Sequence, residues 1–420
     1  MNPDAKEVQL GDLVHVQKGV SYKGEYLDRP GPSLLGLGVV QPGGGFKEGK
    51  ARNYGGPFKP HHQVRAGDLF LALTDITQDG SVLGSPVVVP GSICPALITH
   101  HVAALRIKKD APLHPRYLYY ALCSDSSRSH FRGMATGTTV RAVSPSDAAL
   151  VTIPLPPVAE QIRIADVLGF LDDKIDLNER TNRTLEEIAQ AMFKAWFINF
   201  DGSELPDLTD SEIGPIPKGW RVGTLDDILQ FDPKLALPKG TDAIYVDMKA
   251  LPTSGPSVSE WARRPYAGGA RFQQGDTLLA RITPCLENGK SALVDFLSDG
   301  VVAYGSTEFI VLRPRAGVPR AWPYCLARHE PFRAHAIANM TGSSGRQRVA
   351  TVALVTHPVA VPPDVVLRKF GEATDPLFRR ITSNSRETNA LRSLRDTLLA
   401  KLITGAVRVP EAEVAVGSAK

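Results

Sequence analysis

The side chains with the means to do chemistry are few: two histidine pairs, His61-His62 and His100-His101, an acid and a base, Glu287 and Lys290, close to Asp276, and four cysteines, Cys94, Cys123, Cys285 and Cys325. Paired imidazoles suggest a metal centre. Adjacent residues on a strand face opposite sides, however, and no carboxylate or cysteine stands at ligand spacing, so metal binding is not expected. The spacing of Glu287 and Lys290 does not place both on one strand face as a nuclease E-x-K would, and Glu287-Asn288-Gly289-Lys290 reads as a polar turn. The cysteines are far apart with no C-x-x-C, which points to reduced, partly buried thiols and not to a disulfide framework or zinc knuckle. The chain has no G-x-x-x-x-G-K-[ST] phosphate loop, no strand-linked G-x-G-x-x-G, no H-E-x-x-H, and no N-P-P-[YF] or D-P-P-Y of the amino-methyltransferase kind. Gly43-Gly44-Gly45 reads as a flexible loop. No catalytic residue, metal or cofactor is expected in this chain.

What remains is recognition chemistry. Lys47, Lys50, Arg52, Asn53, Tyr54 and Lys59 fall in one Gly/Pro-rich stretch, and Thr136, Thr138, Thr139 and Arg141 form a hydroxyl-rich loop. In the second half Arg263, Arg264, Tyr266 and Arg271 precede a Gly-Asp turn, and Ser343, Ser344, Arg346, Gln347 and Arg348 form a matching loop. Lys, Ser and Thr suit phosphates, Arg suits guanine, and Asn or Gln suits adenine in the major groove, so double-stranded DNA is the expected partner.

These loops need elements to hold them, and the elements come twice. Ala66-Gly67-Asp68-Leu69-Phe70-Leu71-Ala72 returns as Gln274-Gly275-Asp276-Thr277-Leu278-Leu279-Ala280, a Gly-Asp turn opening an apolar strand. Met134-Ala135-Thr136-Gly137-Thr138-Thr139 returns as Met340-Thr341-Gly342-Ser343-Ser344. Ile153-Pro154-Leu155-Pro156-Pro157 returns as Val359-Ala360-Val361-Pro362-Pro363, a strand stopped by a diproline. Three markers in one order define an internal repeat.

After each diproline the apolar period changes from two to about three and a half. Ile164, Leu168, Leu171, Ile175, Asn178, Asn182, Leu185, Ala189, Met192 and Trp196 form one coiled-coil seam. Phe370, Thr374, Leu377, Ile381, Asn384, Thr388, Leu391, Arg395, Leu398 and Leu402 form the other, with Asn178 and Asn384 at equivalent positions and Pro376 expected to interrupt or kink its first turns. A helix from Val158 to Phe200 would span on the order of 60 Å, a spacer's length. If two such helices run antiparallel, the expected shape is a dumbbell with a pseudo-two-fold axis.

The expected fold class is therefore α+β, with heads at 1–157 and 219–363, a central helical spacer at 158–200, a linker at 201–218, a C-terminal helical spacer at 364–405 and a flexible tail at 406–420. The 420 residues carry a net charge of +4, 43% hydrophobic and 22% charged side chains, enough for two or three cores and too mild a charge to define a partner. No apolar run is long enough for a membrane span and the start lacks a signal-like stretch, so a cytoplasmic location is expected.

Ile153-Pro-Leu-Pro-Pro-Val-Ala-Glu-Gln-Ile-Arg-Ile-Ala-Asp-Val-Leu168, Leu171-Asp-Asp-Lys-Ile-Asp-Leu-Asn178 and Ala191-Met-Phe-Lys-Ala-Trp-Phe197 closely resemble the central helical region of the specificity (S) subunits of type I restriction-modification enzymes. Ile213-Gly-Pro-Ile-Pro-Lys-Gly-Trp220 resembles the lead-in to that family's second recognition domain. The resemblance implies two target recognition domains, each reading one half of an asymmetric bipartite DNA site, on antiparallel helices that set the gap. It implies partners too: modification subunits, two of them, which hold S-adenosylmethionine, and restriction subunits, which use ATP and Mg2+. It places Glu160, Gln161, Ile164, Leu168, Phe193, Trp196 and Phe197, together with the seam residues Asn178, Asn182 and Asn384, in the spacer or partner-docking region. Asp364-Val-Val-Leu-Arg-Lys-Phe370 departs from the family's P-x-x-E-Q-x-x-I start, which leaves open how the second helix grips a partner. Two other readings also stay open: a self-sufficient methyltransferase or nuclease with an unrecognised site, and an inactive, protein-binding scaffold of the same build.

Overall fold

A computed structural model describes residues 6–77, 79–201, 207–343 and 345–417. The chain divides into two units, residues 1–175 with 390–420, and residues 176–389. In the first unit the opening strand Lys6–Gln9 pairs antiparallel with Thr152–Leu155, Lys6 opposite Leu155. Next comes an antiparallel sheet in the order Val14–Lys18, Val102–Ile107, Leu69–Ala72, Pro86–Val88, and then a smaller one in the order Arg52–Asn53, Ser33–Leu35, Ala96–Ile98, Gln63–Val64. Helices Pro115–Cys123 and Asp125–Met134 cover the first sheet.

The second unit repeats this order strand by strand. Arg221–Thr224 pairs with Pro358–Val361. The larger sheet runs Leu229–Phe231, Phe309–Pro314, Thr277–Ala280, Ser291–Leu293, and the smaller one Ala262–Pro265, Asp242–Val246, Ala303–Gly305, Ala270–Phe272. The one parallel contact in each smaller sheet is also kept, Leu34 opposite Leu97 and Tyr245 opposite Tyr304. The Gly-Asp turns open the expected strands with Gly67 and Gly275 at φ +83° and +88°, a conformation that favours glycine. Each aspartate then holds an arginine of the neighbouring strand, Asp68 with Arg106 and Asp276 with Arg313, the second pair bidentate at 2.7 Å and almost wholly buried on the carboxylate side.

The long helices are Val158–Phe197 and Asp364–Thr404, each contributing to both units. In the first unit Ile164, Leu168, Leu171 and Ile175 share a core with Leu391, Leu398 and Leu402. Arg395 does not spoil that seam: its guanidinium meets Asp172 at 2.8 Å, and the same carboxylate accepts the Tyr120 hydroxyl at 2.7 Å. In the second unit the two central amides pair, Asn384 Nδ2 donating to Asn182 Oδ1 at 2.9 Å, while Asn178 donates to Glu387 at 2.8 Å. Asn384 thus finds Asn182, one turn away from its repeat counterpart Asn178, because the strands of the seam run in opposite directions.

Three expectations need correction. Pro376 lies inside an unbroken helix; its ring is on the exposed side, where the carbonyl it deprives of a partner can face water, and the inward position passes from Leu377 to Phe378, 1% exposed. The tail is not uniformly flexible, since Val409–Gly417 is helical with Val409 and Ala412 buried. The linker contains a small hairpin, Leu208–Thr209 against Ile216–Pro217. The cysteines are free thiols, Cys325 buried and the other three partly so. Among the described residues no helix is long and apolar enough to cross a membrane.

One buried polar network ties the second head's loops to its helices. Arg328 donates to the carbonyls of Thr253, Gly255, Gly289 and Ser291 and to the Tyr324 hydroxyl. Glu186 of the first long helix accepts from Tyr324 and from the Gly255 amide at 3.1 Å. Arg328→Ala takes a donor from four carbonyls and the neighbouring cation from Glu186, and is expected to cost the second unit about 3–5 kcal/mol, read as a lowered urea midpoint. Asp295 supplies a pH test. Burial raises its carboxyl above the ordinary 3.8, opposed by the Thr382 hydroxyl and by Arg320 and Arg386. Folding therefore favours its protonated form, a contribution present below the ordinary value and lost as pH rises through the raised one. Asp295→Asn should melt higher than the parent at neutral pH, with the gap closing toward about pH 4; a gap independent of pH would contradict the assignment.

Candidate functional site

The two hydroxyl-rich loops are hairpins in equivalent places. In the first head Thr136 and Ala142 exchange backbone hydrogen bonds at 2.9 Å, and Arg141-Ala142 pairs in turn with Thr74-Asp75, the continuation of the Leu69–Ala72 strand. Thr136, Thr138 and Thr139 are exposed and Arg141 is half-buried. In the second head Met340-Thr341 pairs with Arg348-Val349, and Arg348 bridges to Ile282, just past Thr277–Ala280. Ser343 and Arg346 are exposed, Gln347 is half-buried, and Ser344 lies outside the described residues. Gly137 and Gly342, at φ +94° and +124°, make the bends.

Each hairpin is anchored by different side chains. Buried Asp75 accepts the backbone N–H groups of Thr77, Val82 and Leu83 at 2.6, 2.6 and 2.9 Å, which shapes the loop beside the first hairpin. The Arg141 guanidinium sits over the Gly80 turn, with a terminal nitrogen 3.0 Å from where a Cβ would stand, and Arg132 packs alongside. In the second head Arg348 grips Glu308 with a bidentate pair at 2.7 to 2.9 Å, and this hydrogen-bonded arginine holds the Glu308 carboxyl below its usual range. Arg281 donates to the Val349 carbonyl at 2.8 Å. Arg348 is therefore a brace for the hairpin, and Arg346 makes no side-chain hydrogen bond among the described residues.

The remaining head candidates lie on the smaller sheets. Lys47, Lys50, Arg52, Asn53 and Lys59 are exposed, Arg52 being paired with Asp28. Tyr54 is a correction: it is 2% exposed, packed with Val20, Leu34 and Leu97, so its ring is core and unavailable for stacking on a ligand. On the equivalent edge strand Arg263 pairs with Asp242 at 2.7 Å, and Arg264 lies 4.7 Å over the Tyr245 ring. Tyr266 meets Tyr304 edge-on at 5.0 Å. Arg271 donates to the Leu235 carbonyl and, with Asp232, Arg281, Thr307 and Phe309, lines an open cavity of about 310 Å³.

The histidine pairs depart from the expected strand geometry. His61 and His62 sit on a single helical turn with rings 4.4 Å apart, and His100 and His101 are 4.0 Å apart, so neither pair splits across a sheet. Among the described residues no group of three or more His, Cys, Asp or Glu could hold a metal. Lys290 donates to the Met248 carbonyl, which gives the Glu287 turn a structural role.

The helical candidates divide by burial. Gln161 is fully buried: its Oε1 accepts from the His114 amide and its Nε2 donates to the Pro112 and Pro156 carbonyls, all at 2.8 to 2.9 Å. Ile164, Leu168, Phe193 and Phe197 are core, Phe193 and Phe197 against Trp322 and Phe370, while Trp196 and Glu160 are half-buried. An interface-anchor role for Phe197 is thus overturned, since its ring is already covered. Ile162, Phe170, Leu177 and Ile188 are among the large apolar positions of this helix left exposed. Sequence reasoning missed these four along with Asp75, Glu308 and Arg132; only the Asp75-Ile76-Thr77 turn pattern carried a local signal.

Residues 89–187 match the family model described as "Type I restriction modification DNA specificity domain". The type I restriction enzyme MjaIX specificity subunit of Methanocaldococcus jannaschii is 26% identical over 310 residues, 70% of this chain and 69% of that one. The EcoAI specificity subunit of Escherichia coli is 30% identical over 166 residues, 38% and 28% of the two chains. The crystal structure of the type I restriction-modification S subunit from M. genitalium has the same fold, with a TM-score of 0.59, 16% identity and coverage of 96% of this chain and 99% of that one.

Glu308→Ala removes the brace on Arg348. The amides of Thr341 and Val349 should then exchange faster with solvent, while global stability changes little because the pair is exposed on its arginine side. Unchanged exchange there would show that the hairpin stands without it.

Proposed function

We propose that the chain is a specificity subunit of a type I restriction-modification system, the reading its family match and relatives support, and that its two heads read the two halves of an asymmetric, bipartite DNA target through the hairpins at Thr136–Ala142 and Met340–Val349. The observation that carries this reading is that one backbone device recurs in both heads with different side chains at its tip: Thr138 and Thr139 in the first, Arg346 and Gln347 in the second. Equal scaffolds with unequal tips suit unequal half-sites. Lys47, Lys50, Arg52, Asn53 and Lys59, and Arg263, Arg264 and Tyr266, would hold phosphates beside the hairpins and give the binding its salt dependence.

The long helices serve in this proposal as the ruler between half-sites and as the seat of two modification subunits, with Ile162, Leu177 and Ile188 among the exposed apolar residues they offer. Methylation with S-adenosylmethionine and ATP- and Mg2+-dependent translocation and cleavage belong to the modification and restriction subunits, and the assembly works on DNA in the cytoplasm. The chain itself supplies no reacting group. Its contribution is to hold the two hairpins so that only DNA with both sequences at the right separation satisfies them together, which multiplies two modest selectivities.

Co-expression with its modification subunit in a host without other adenine methylases tests this directly. Genome-wide mapping should find methylation at one split, asymmetric motif. A stable complex that methylates no split motif would overturn the proposal.

A further inference from the structure

We propose that the first head recognises a thymine by its 5-methyl group, with Ile76 and Val140 as the contact; the inference rests on the reading that the heads bind DNA. The ladder between Thr74-Asp75 and Arg141-Ala142 is antiparallel and ends at the pair Asp75 with Arg141, so Ile76 and Val140 are the next residues of its two strands, and its register continued by one step would set them opposite each other. Both are large aliphatic side chains in water, 73% and 47% exposed. Exposed aliphatics scattered singly need no explanation, but two at the end of one ladder, one on the hairpin and one on the strand paired with it, make an apolar tip. Asp75 fixes its geometry, since the three backbone N–H groups it binds lie in the loop that begins at Ile76.

The surroundings say what covers that tip. Thr138 and Thr139 lie exposed beside Val140, and the Arg141 and Arg132 side chains flank the Gly80 turn. A rim of cations and hydroxyls matches the negative charge and acceptor oxygens of a phosphate backbone. The second head gives an independent comparison. There Ile282 bridges to Arg348 and the Thr283 amide donates to the Gln347 carbonyl at 3.0 Å, so the same register step falls on Pro284 and Arg346. The position that is aliphatic in one head carries a guanidinium in the other. In the major groove guanine offers acceptors suited to arginine, and thymine alone among the four bases offers a methyl group. One hairpin position would thus read opposite chemistries in the two half-sites.

Uracil differs from thymine only by that methyl, which makes it the probe. With the chain in complex with its modification subunit, each thymine in both half-sites of the methylated motif is replaced singly by uracil, and equilibrium binding is measured at one salt concentration. One position, confined to one half-site, should bind about fourfold more weakly, as expected for losing one buried methyl. In the double variant Ile76→Ser, Val140→Ser, which leaves no side-chain methyl at either position, the uracil penalty at that position should vanish, while uracil penalties elsewhere stay as they were. Motif-specific binding that ignores every thymine-to-uracil change, or a penalty that survives in the double variant, overturns the thymine contact and leaves the bipartite reading standing. Binding without preference for the motif over a scrambled duplex would overturn both.

Discussion

Everything the heads present depends on how each is closed. The first strand of a head pairs antiparallel with its last, Lys6–Gln9 with Thr152–Leu155 and Arg221–Thr224 with Pro358–Val361, so the chain enters and leaves a head at one place. The diproline after the last strand cannot donate to a sheet and ends it there, and its fixed φ suits the first turn of a helix. In the first unit Gln161 completes the junction by satisfying three backbone groups that strand and helix leave unpaired. A head closed in this way can change its loops without changing where its helix starts.

The second unit reaches the same end by other means. Leu367 stands where Gln161 stands in the first repeat and is simply buried, 4% exposed. Its head is tied down farther along by Arg328, Tyr324 and Glu186, a network with low exposure on both charged ends. Where a charge is buried its partners must be complete, because an unpaired one costs several kcal/mol. That demand explains why Arg328 collects four carbonyls from two segments, Thr253–Gly255 and Gly289–Ser291, the second of which leads into the strand Ser291–Leu293. Departure from the familiar helix start therefore changes the fastening and not the fold.

The repeat, the two long helices and the Gly-Asp strands were legible in the sequence because they rest on spacing: an apolar period, a diproline, a glycine that must adopt positive φ. Individual contacts were less so. Tyr54 has the composition of a binding residue and the burial of a core one, and nothing local distinguishes the two. Arg348 looked equivalent to Arg346 until Glu308, forty residues earlier, was found holding it. Arg395 read as a flaw in an apolar seam because its partner Asp172 is on the other helix. In each case the deciding neighbour is distant in sequence, which periodicity cannot see. Pro376 failed as a breaker for a related reason: a proline costs a helix one hydrogen bond and a clash, and on the exposed side, backed by a packed face of Phe370, Thr374 and Phe378, the helix tolerates that cost.

Two hairpins with one backbone and different braces show where such a protein has freedom to vary. The loop beside the first is shaped by a carboxylate that binds backbone N–H groups, a contact in which the side chains at positions 76 and 140 take no part. The second is braced by an ion pair between Arg348 and Glu308, outside the tip formed by Arg346 and Gln347. Support and tip are thus separate residues in both heads. Had the tip residues also carried the fold, each change of specificity would have cost stability; because they do not, a new half-site needs only new side chains at one register step of a hairpin already held in place.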